Sequence, residues 1–421
     1  MASQFPPLAR LADAGPSARA LTHLAQSLIA ADSDVGAWAL VCPERARSDA
    51  DARDAATTGS RPPLHGVPLG VKDIVDVVGL PTRCGTDLTS DAPAGASASL
   101  VTRLEELGAV VQGKTVTTEF AYFGPGPTRN PRALNRTPGG SSSGSAAAVA
   151  AGMVPLTIGS QTAGSLTRPA SFCGVAGHVF ARGSQPLDGV AGLAPSLDTL
   201  GILTRSVADL DAVARAIAPR ETAPAASVLV WHGDGLGAVD PSMTRAVGDA
   251  AKLLGRAGLS VERLDWDDHV ATLTADHAVI MAFEAAREHA ALLRRPEAIS
   301  APLVELLTTG AALQDDEYRA AKFRRDRSAI DAASLLADHV VLGPAALGPA
   351  PLGLGSTGSP VLSRAWQALG LPVVVVPGLT TDDGLPLGVQ LIGRPGGEAS
   401  LFATALLLER ELTARNGRGL S

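Results

Sequence analysis

The sequence predicts an α/β fold, a single large domain with a mixed, mostly parallel β-sheet flanked by helices. Short apolar runs rich in β-branched residues alternate with longer amphipathic segments, a pattern typical of strands and helices around a buried, mainly parallel sheet. Two late apolar runs, 371–376 and 387–392, lie about one Asp-Asp-Gly turn apart. Strands joined so closely pair antiparallel, which makes the predicted sheet mixed.

Composition limits the classes of protein that the chain can be. It has 421 residues, 46% of them hydrophobic and 18% charged, so it can bury a sizeable core and is not expected to be disordered. The net charge of −7 disfavours nucleic acid as a partner. Cys42, Cys84 and Cys173 form no C-x-x-C pair, and no signal peptide or membrane-length apolar run is evident. A soluble cytoplasmic protein without a metal site or cofactor is expected.

The elements expected in the first half follow from the spacing of apolar residues, from glycine and proline residues that interrupt helices, and from runs of small residues. Leucines at helical spacing predict amphipathic helices, and Gly/Pro/Asn-rich stretches predict loops. The expected elements are helices over 8–31 broken near Gly15, a loop over 48–63, a buried strand over 67–78, a helix over 97–107, a strand over 109–111, a loop over 124–140 and a helix over 145–151.

The second half alternates more regularly after an expected linker at 219–225. Strands are expected at 228–231, 260–264, 339–342, 371–376 and 387–392. Helices are expected at 241–257, 274–293, 315–336 and 398–412, with a loop over 343–360. We therefore divide the chain into N-terminal helices (1–60), a core segment (61–217) and a C-terminal segment that completes the same domain and its pocket (218–421).

Two short motifs match known patterns but fail in their context. Residues 108–115 satisfy G-x-x-x-x-G-K-T letter for letter, yet a helix is expected before the first glycine and a strand inside the motif, the reverse of a P-loop. Residues 140–144, Gly-Ser-Ser-Ser-Gly, match a nucleophile elbow with Ser142 as its serine. The preceding segment is too rich in proline, asparagine and arginine for the central strand that an elbow requires.

Two runs of glycine and small polar residues predict a site. Residues 138–145 lead directly into an Ala-rich helix, and a second such run covers 159–165. Small residues let a backbone approach a ligand closely, and successive free N–H groups bind anions. A flexible linker is the alternative for the first run, but linkers do not lead straight into tightly packed helices.

Lys72 is the third candidate element, within the apolar stretch Gly66–Val75. The chain has 35 basic residues and only four lysines, so a lysine stands out against a strong arginine bias. A buried lysine loses its proton easily and arginine does not. A surface ion pair between Lys72 and Asp73 is the alternative. The eight histidines lie outside both serine-rich runs, which leaves a serine–lysine system.

These segments resemble the amidase signature family, hydrolases with a Ser–cisSer–Lys triad. The resemblance rests on Gly66-Val67-Pro68-Leu69-Gly70-Val71-Lys72-Asp73, on residues 138–152 and 159–169, and more loosely on 370–372 and 386–395. It implies Lys72 as base, Ser141 as cis-serine, Ser165 as nucleophile and Ser142 as a supporting hydrogen-bond partner. It further implies an oxyanion hole formed by the N–H groups of Thr162, Ala163, Gly164 and Ser165, and frequent homodimers.

The chain departs from the family pattern at three positions. Ala163 stands where the family has the first glycine of its G-G-S, and Gln161 stands where many members have aspartate. Arg168 follows Ser165 by three residues, as in a malonamidase-like branch in which the arginine is associated with a substrate carboxylate. Arg168 is therefore a candidate substrate-binding residue, and the alternative is that it only shapes the loop, because Pro169 disfavours a regular helix there.

The resemblance implies an amidase, a hydrolase of carbon–nitrogen bonds other than peptide bonds. It would cleave a small amide, or a carbamate (urethane), anilide or ester, through a Ser165 acyl-enzyme and a Lys72–Ser141 relay. No cofactor, metal, nucleic acid or membrane partner is implied. The alternative function is a component of a tRNA-dependent amidotransferase complex.

Overall fold

The computed structural model describes residues 5–10, 15–56 and 59–418. Its helices are α1 (Ala18–Ala30), α2 (Pro43–Ala56), α3 (Ser99–Glu106), α4 (Ser143–Ala150), α5 (Thr167–Cys173), α6 (Val207–Ile217), α7 (Pro241–Arg256), α8 (Asp267–Glu288), α9 (Ala301–Ala312), α10 (Asp315–Leu335), α11 (Val361–Leu369) and α12 (Glu398–Arg418). Its strands are β1 (Trp38–Val41), β2 (Pro68–Lys72), β3 (Val110–Thr115), β4 (Leu156–Gln161), β5 (Ala176–Val179), β6 (Thr199–Thr204), β7 (Ser227–Val230), β8 (Val261–Arg263), β9 (His339–Pro344), β10 (Val373–Thr380) and β11 (Pro386–Ile392).

The strands join one mixed sheet in the order β1-β3-β2-β4-β6-β5-β10-β11-β9-β7-β8. The predicted α/β class, with a mixed sheet flanked by helices, is confirmed. Parallel pairing occupies two blocks, β3-β2-β4 and β9-β7-β8. Within the described residues the other six pairings are antiparallel, including the expected β10–β11 hairpin. Antiparallel strand pairs are thus more numerous than a mostly parallel sheet implies. The reason is that β6 inserts between β4 and β5, and the β10–β11 hairpin lies beside β5.

Both faces of the sheet are buried, as alternating side chains of β10 show. Val374 and Val376 belong to the largest apolar cluster, whereas Val373 and Val375 belong to a second cluster. Successive strand residues point to opposite faces, so these clusters are the two layers of core between sheet and helices. Among the described residues, no helix is both long and apolar enough to cross a membrane.

The loop expected over 48–63 is wrong, and the strand expected over 67–78 ends at Lys72. The sequence-based expectations contain no counterpart for β1, β4, β5, β6, α5, α6, α9 and α11. The polar stretch expected as a loop over 48–63 is mostly helix α2, which buries only the small Ala46 and Ala50. Such a helix has no apolar stripe from which to predict it. Strands from each of the three predicted segments join the one sheet, including β1 within residues 1–60. The expected helix at 8–31 is represented by a short 3₁₀ turn at Leu8–Arg10 and by α1, and residues 11–14 lie outside the described chain.

The parallel pairing of β2 with β4 places the candidate residues together. The two strands run in register from Leu69 opposite Leu156 to Val71 opposite Ile158, so their carboxyl ends reach the same edge of the sheet. Ligands of α/β sheets bind in the crevice beyond such ends. Lys72 ends β2, and Gln161 ends β4 just before the second glycine–serine run.

Candidate active site

Lys72 is completely buried and its amine contacts two serine hydroxyls. Its Nζ lies 2.6 Å from Ser141 Oγ and 2.7 Å from Ser160 Oγ. Burial lowers the pKa of the lysine from its ordinary 10.5 to about 7, an effect that the negative charge of Asp198 partly offsets. Near neutral pH a large part of Lys72 is therefore an uncharged amine with a free electron pair, which is what a general base requires.

Ser141 lies at a cis Gly140–Ser141 peptide, immediately before α4. Its neighbour Ser142 is fully buried, and its hydroxyl donates to the Ser160 carbonyl and accepts from the Ser160 N–H, both at 3.2 Å. The Ser142 N–H donates to the Ser165 carbonyl at 3.0 Å. Ser142 thus links the two serine-bearing loops, as a supporting residue would.

Ser165 lies in the short turn between β4 and α5, and Gln161 fixes the start of that helix. The Gln161 Oε1 accepts hydrogen bonds from the N–H groups of Leu166 and Thr167, at 3.0 and 3.1 Å. Its amide nitrogen donates to Gln367 Oε1 at 3.1 Å. An acceptor at this point satisfies N–H groups that a helix start leaves without partners. The glutamine amide therefore supplies the acceptor that an aspartate would provide, and it adds a link to α11.

Two buried side chains, His277 and Asp198, hold Thr162, the first residue of the turn. His277 Nε2 donates to the Thr162 carbonyl at 2.7 Å, and burial lowers the pKa of this histidine to about 3, so it stays neutral. The Thr162 hydroxyl donates to Asp198 Oδ1 at 2.5 Å. The other carboxylate oxygen of Asp198 accepts from the N–H groups of Leu193 and Ala194 at 2.8 and 3.0 Å. Asp198 thereby fastens the turn to the 193–194 loop.

Ala163 fits its position without left-handed backbone, since the non-glycine residues with positive φ in the described chain are Cys84, Phe120 and Ala121. Its methyl group belongs to a cluster with Leu193 and Met281. The methyl thus packs against one wall of the site.

Arg168 is 3% exposed, and two of its three guanidinium nitrogens have main-chain partners. Nε donates to the Thr357 carbonyl and Nη2 to the Gly140 carbonyl, both at 2.6 Å. Nη1 is buried and has no partner among the described residues. Arg168 lies within the first turn of α5, so the expected disruption by Pro169 is wrong: proline is tolerated in a first turn, where its missing N–H has no helical acceptor to lose.

One cavity is lined by several of the candidate residues. Its polar lining consists of Ser141, Thr162, Ser165, Arg168 and Thr357, and its apolar or aromatic lining consists of Ala121, Tyr122, Phe123, Ala163, Leu193, Met281 and Pro360. Ser165 is partly exposed there, whereas Ser141 and Ser142 are buried. A mostly apolar concavity with a few convergent polar groups is typical of a small-molecule site.

Comparison with known proteins agrees with this geometry. The family model described as amidase matches residues 19–402. The chain belongs to the amidase family. It is 34% identical to the glutamyl-tRNA(Gln) amidotransferase A subunit of Anaeromyxobacter dehalogenans (strain 2CP-C), over 96% of each chain. It is 32% identical to AtzE, the 1-carboxybiuret hydrolase subunit of Pseudomonas sp. (strain ADP), over 96% of this chain and 97% of that one. A solved structure of a vestigial protein complex that reveals the evolutionary origins of an s-triazine catabolic enzyme superposes with a TM-score of 0.88 at 31% identity, covering 95% of this chain and 96% of that chain.

Membership of the amidase family confirms the resemblance drawn from the motifs, and it makes the protein an amidase-family enzyme acting on carbon–nitrogen bonds.

The structure explains why the two short motifs rejected from the sequence are not functional. In the P-loop match, β3 lies inside the motif and the buried Lys114 pairs with Asp73, with Nζ 2.9 Å from Oδ1. The alternative pairing of Lys72 with Asp73 is therefore wrong. The elbow serine, Ser142, has its hydroxyl engaged by the Ser160 backbone and follows no strand.

Sequence reasoning missed several residues of this amidase site. Ser160 contacts the lysine, His277 and Asp198 hold the turn, and Gln367 supports Gln161. A signal exists only for Ser160, which lies inside the second glycine–serine run. The others lie on elements far along the chain from that run, and no local pattern marks them as neighbours of the turn.

Proposed function

We propose that this amidase-family protein is an amidohydrolase that cleaves a linear C–N bond through an acyl-enzyme on Ser165. The observation that carries the proposal is the contact between the buried Lys72 amine and Ser141 Oγ, 2.6 Å apart, beside a cavity that Ser141 and Ser165 both line. A desolvated amine, a relay hydroxyl and a more exposed hydroxyl are the groups that a serine nucleophile needs in the absence of a histidine.

In the proposed reaction, Ser165 Oγ attacks the carbonyl carbon and its proton passes to Ser141 Oγ. The Ser141 proton passes in turn to the electron pair of Lys72 Nζ. When the tetrahedral intermediate collapses, the relay runs in reverse and Ser141 protonates the leaving nitrogen. Water then enters by the same relay and releases the acid, which returns every group to its starting protonation state.

The turn at residues 162–165 supports the proposed oxyanion hole. In the described part of the chain, none of the N–H groups of Thr162, Ala163, Gly164 and Ser165 donates a hydrogen bond to a protein acceptor. Donors aimed at a developing oxyanion in a dry site are commonly the largest single contribution to acyl-transfer catalysis. We assign these four N–H groups to that role.

Arg168 is proposed to bind substrate through Nη1 while its other nitrogens shape the loop. A methyl group built on Gly164 would come within 3.3 Å of this nitrogen, so Nη1 lies beside the nucleophile turn. Both roles left open by the sequence are thus combined in one side chain. Amide, carbamate, anilide and ester substrates, and homodimer assembly, remain predictions.

The alternative function is that of an amidotransferase component, favoured by the 34% identity to an amidotransferase chain over nearly its whole length. A panel of amide, anilide, ester and carbamate probes, tested on the purified chain alone, separates the two functions. An amidohydrolase releases acid and amine without a partner protein, and Ser165→Ala removes that turnover. Activity that appears only with added amidotransferase partner proteins would overturn the proposal.

A further inference from the structure

Two carbonyl groups of the nucleophile turn, residues 162–165, are held by donors of different kinds. The Gly164 carbonyl accepts from the Arg168 N–H at 3.2 Å, a main-chain bond of the kind that opens a helix. The Thr162 carbonyl accepts instead from the His277 side chain, whose Nε2 lies 2.7 Å away. His277 belongs to α8, more than a hundred residues further along the chain. A distant helix therefore supplies the donor that fixes this carbonyl.

The carbonyl that His277 holds belongs to the same peptide unit as a proposed oxyanion donor, the Ala163 N–H. A trans peptide is planar, and its C=O and N–H point in opposite directions. The Thr162 carbonyl points at His277, so the Ala163 N–H points away from it. Ala163 lines the cavity, and within the described chain its N–H donates to no protein acceptor. The direction of the carbonyl thus determines whether this N–H is available to a substrate.

A single face of α8 contacts the nucleophile turn and the loop beside it. Residues at positions i, i+4 and i+7 of a helix share a face, and His277, Met281 and Glu284 have this spacing. Met281 lines the cavity and shares an apolar cluster with Ala163. The Glu284 carboxylate accepts from the Ser196 N–H at 2.9 Å. His277 is therefore presented by a helix that is fixed at three successive points.

The protonation state of His277 makes it a permanent donor. The side chain is completely buried, and burial lowers its pKa to about 3, so the ring is neutral at neutral pH. A carbonyl oxygen only accepts hydrogen bonds, so the single ring proton must be on Nε2. Nδ1 is then an acceptor, and it is buried without a partner in the part of the chain that the structure describes. The other tautomer would place two electron pairs against each other at the Thr162 carbonyl.

We propose that His277 is a positioning residue that directs the Ala163 N–H at the developing oxyanion, acting through the Thr162 carbonyl. The inference rests on the amidohydrolase function proposed above and adds a residue to its machinery. A hydrogen bond to the carbonyl also polarises the peptide, which strengthens its N–H as a donor. Because the ring is neutral, His277 supplies this effect without adding a second buried charge to the site.

The kinetic test measures how fast a fluorophosphonate reacts with Ser165, since the oxygen of the reagent takes the oxyanion position during attack. Removing one oxyanion donor costs about a hundredfold to a thousandfold in rate, and a misdirected N–H loses part of that. His277→Leu has a similar volume and no donor, so its second-order rate constant should fall by about tenfold to a hundredfold. His277→Gln places an amide N–H near the position of Nε2 and should stay close to the wild type. Equal rate constants in all three proteins, or equal losses in both variants, would refute the positioning role.

His178→Leu is the matched control, because His178 is also a buried histidine that holds a main-chain carbonyl. Its Nδ1 lies 3.1 Å from the Val373 carbonyl, and burial lowers its pKa to about 4. This contact joins β5 to β10 within the sheet and does not involve the nucleophile turn. His178→Leu should lower Tm and keep the wild-type rate constant. A loss of rate as large as that of His277→Leu would mean that both histidines act only by stabilising the fold.

Crystal structures of His277→Leu and His277→Gln separate this inference from the proposed function. A buried carbonyl without a donor is costly, so in His277→Leu the Thr162–Ala163 peptide should rotate and turn its carbonyl towards the cavity. In His277→Gln the peptide should keep its orientation. An unmoved peptide in His277→Leu would refute the positioning role even if the wild type is labelled at Ser165. A rotated peptide, in a protein whose wild type is not labelled there, would support the positioning role and refute the amidohydrolase.

Discussion

Replacing Lys72 with methionine should abolish catalysis and at the same time stabilise the fold. Methionine has a similar length and fills the same buried space without a charge to desolvate. Lys72 is wholly buried, and burial lowers its pKa from 10.5 to about 7. The unfolded chain binds a proton at this lysine at neutral pH that the folded chain holds only in part, so the lysine costs stability.

The size of this cost follows from the two pKa values. At pH 7 it amounts to about 4 kcal/mol, and at pH 9 to about 2 kcal/mol, since each pH unit between the two pKa values changes it by about 1.4 kcal/mol. Two lost hydrogen bonds, to Ser141 and Ser160, offset about 2 kcal/mol of the gain. The net stabilisation expected for Lys72→Met is therefore about 2 kcal/mol at pH 7, and close to zero at pH 9.

The stability gained by Lys72→Met should depend on pH in the direction expected for a buried lysine with a lowered pKa. The folded-state pKa lies below the unfolded value, so the penalty is fully present below pH 7 and is lost as the pH rises towards 10.5. For a domain of this size, about 2 kcal/mol corresponds to roughly 2 °C in Tm. Scanning calorimetry of both proteins at pH 7 and pH 9 measures the difference, which should shrink at the higher pH.

Lys114→Met provides the matched control. Lys114 is equally buried but forms an ion pair with Asp73, so its removal leaves a buried carboxylate uncompensated and should cost about 3–5 kcal/mol. A Lys72→Met variant that is destabilised like Lys114→Met, or one whose Tm difference from wild type is the same at both pH values, would refute a neutral buried lysine.

Three further predictions concern the support of the site. The kcat/KM of the wild type should rise with pH through a midpoint near 7, and Asp198→Asn should move that midpoint to lower pH, because Asp198 raises the pKa of Lys72; an unmoved midpoint contradicts this. Gln367→Ala should lower both kcat and Tm, since its amide donates to Gln161, Leu197 and Thr199, and unchanged kinetics would show that α11 does not hold the turn. Ala163→Gly should lower the free energy of unfolding by about 0.5–1 kcal/mol in urea titrations without raising kcat; a faster enzyme would mean that the Ala163 methyl narrows the oxyanion hole.

The sequence predicts the fold class and the candidate residues because both depend on local patterns. The apolar alternation of the second half predicts β7 to β11, and the dense motifs around Lys72, Ser141 and Ser165 predict which residues meet. These segments have a distinctive composition. Two of them are runs of glycine and serine, and the third contains a lysine in an arginine-rich chain.

The remaining features depend on distant contacts. Helix α2 has no apolar stripe, and its small alanines pack only because α1 and β3 lie beside it. Asp198 and Gln367 reach the site from separate elements, so no spacing marks them. The antiparallel insertion of β6 is likewise set by which strands meet in space, since β4, β5 and β6 are each uniformly buried and their burial pattern does not distinguish them.

The most direct test of the central claim is to map the nucleophile. The protein is treated with a serine-directed fluorophosphonate, and the adduct is located by peptide mass spectrometry in the wild type, Ser165→Ala and Ser142→Ala. The account predicts one adduct on Ser165, absent from Ser165→Ala and retained in Ser142→Ala, because Ser165 is the partly exposed hydroxyl and Ser142 is buried in hydrogen bonds to Ser160. An adduct on Ser142, or labelling that survives in Ser165→Ala, would contradict it.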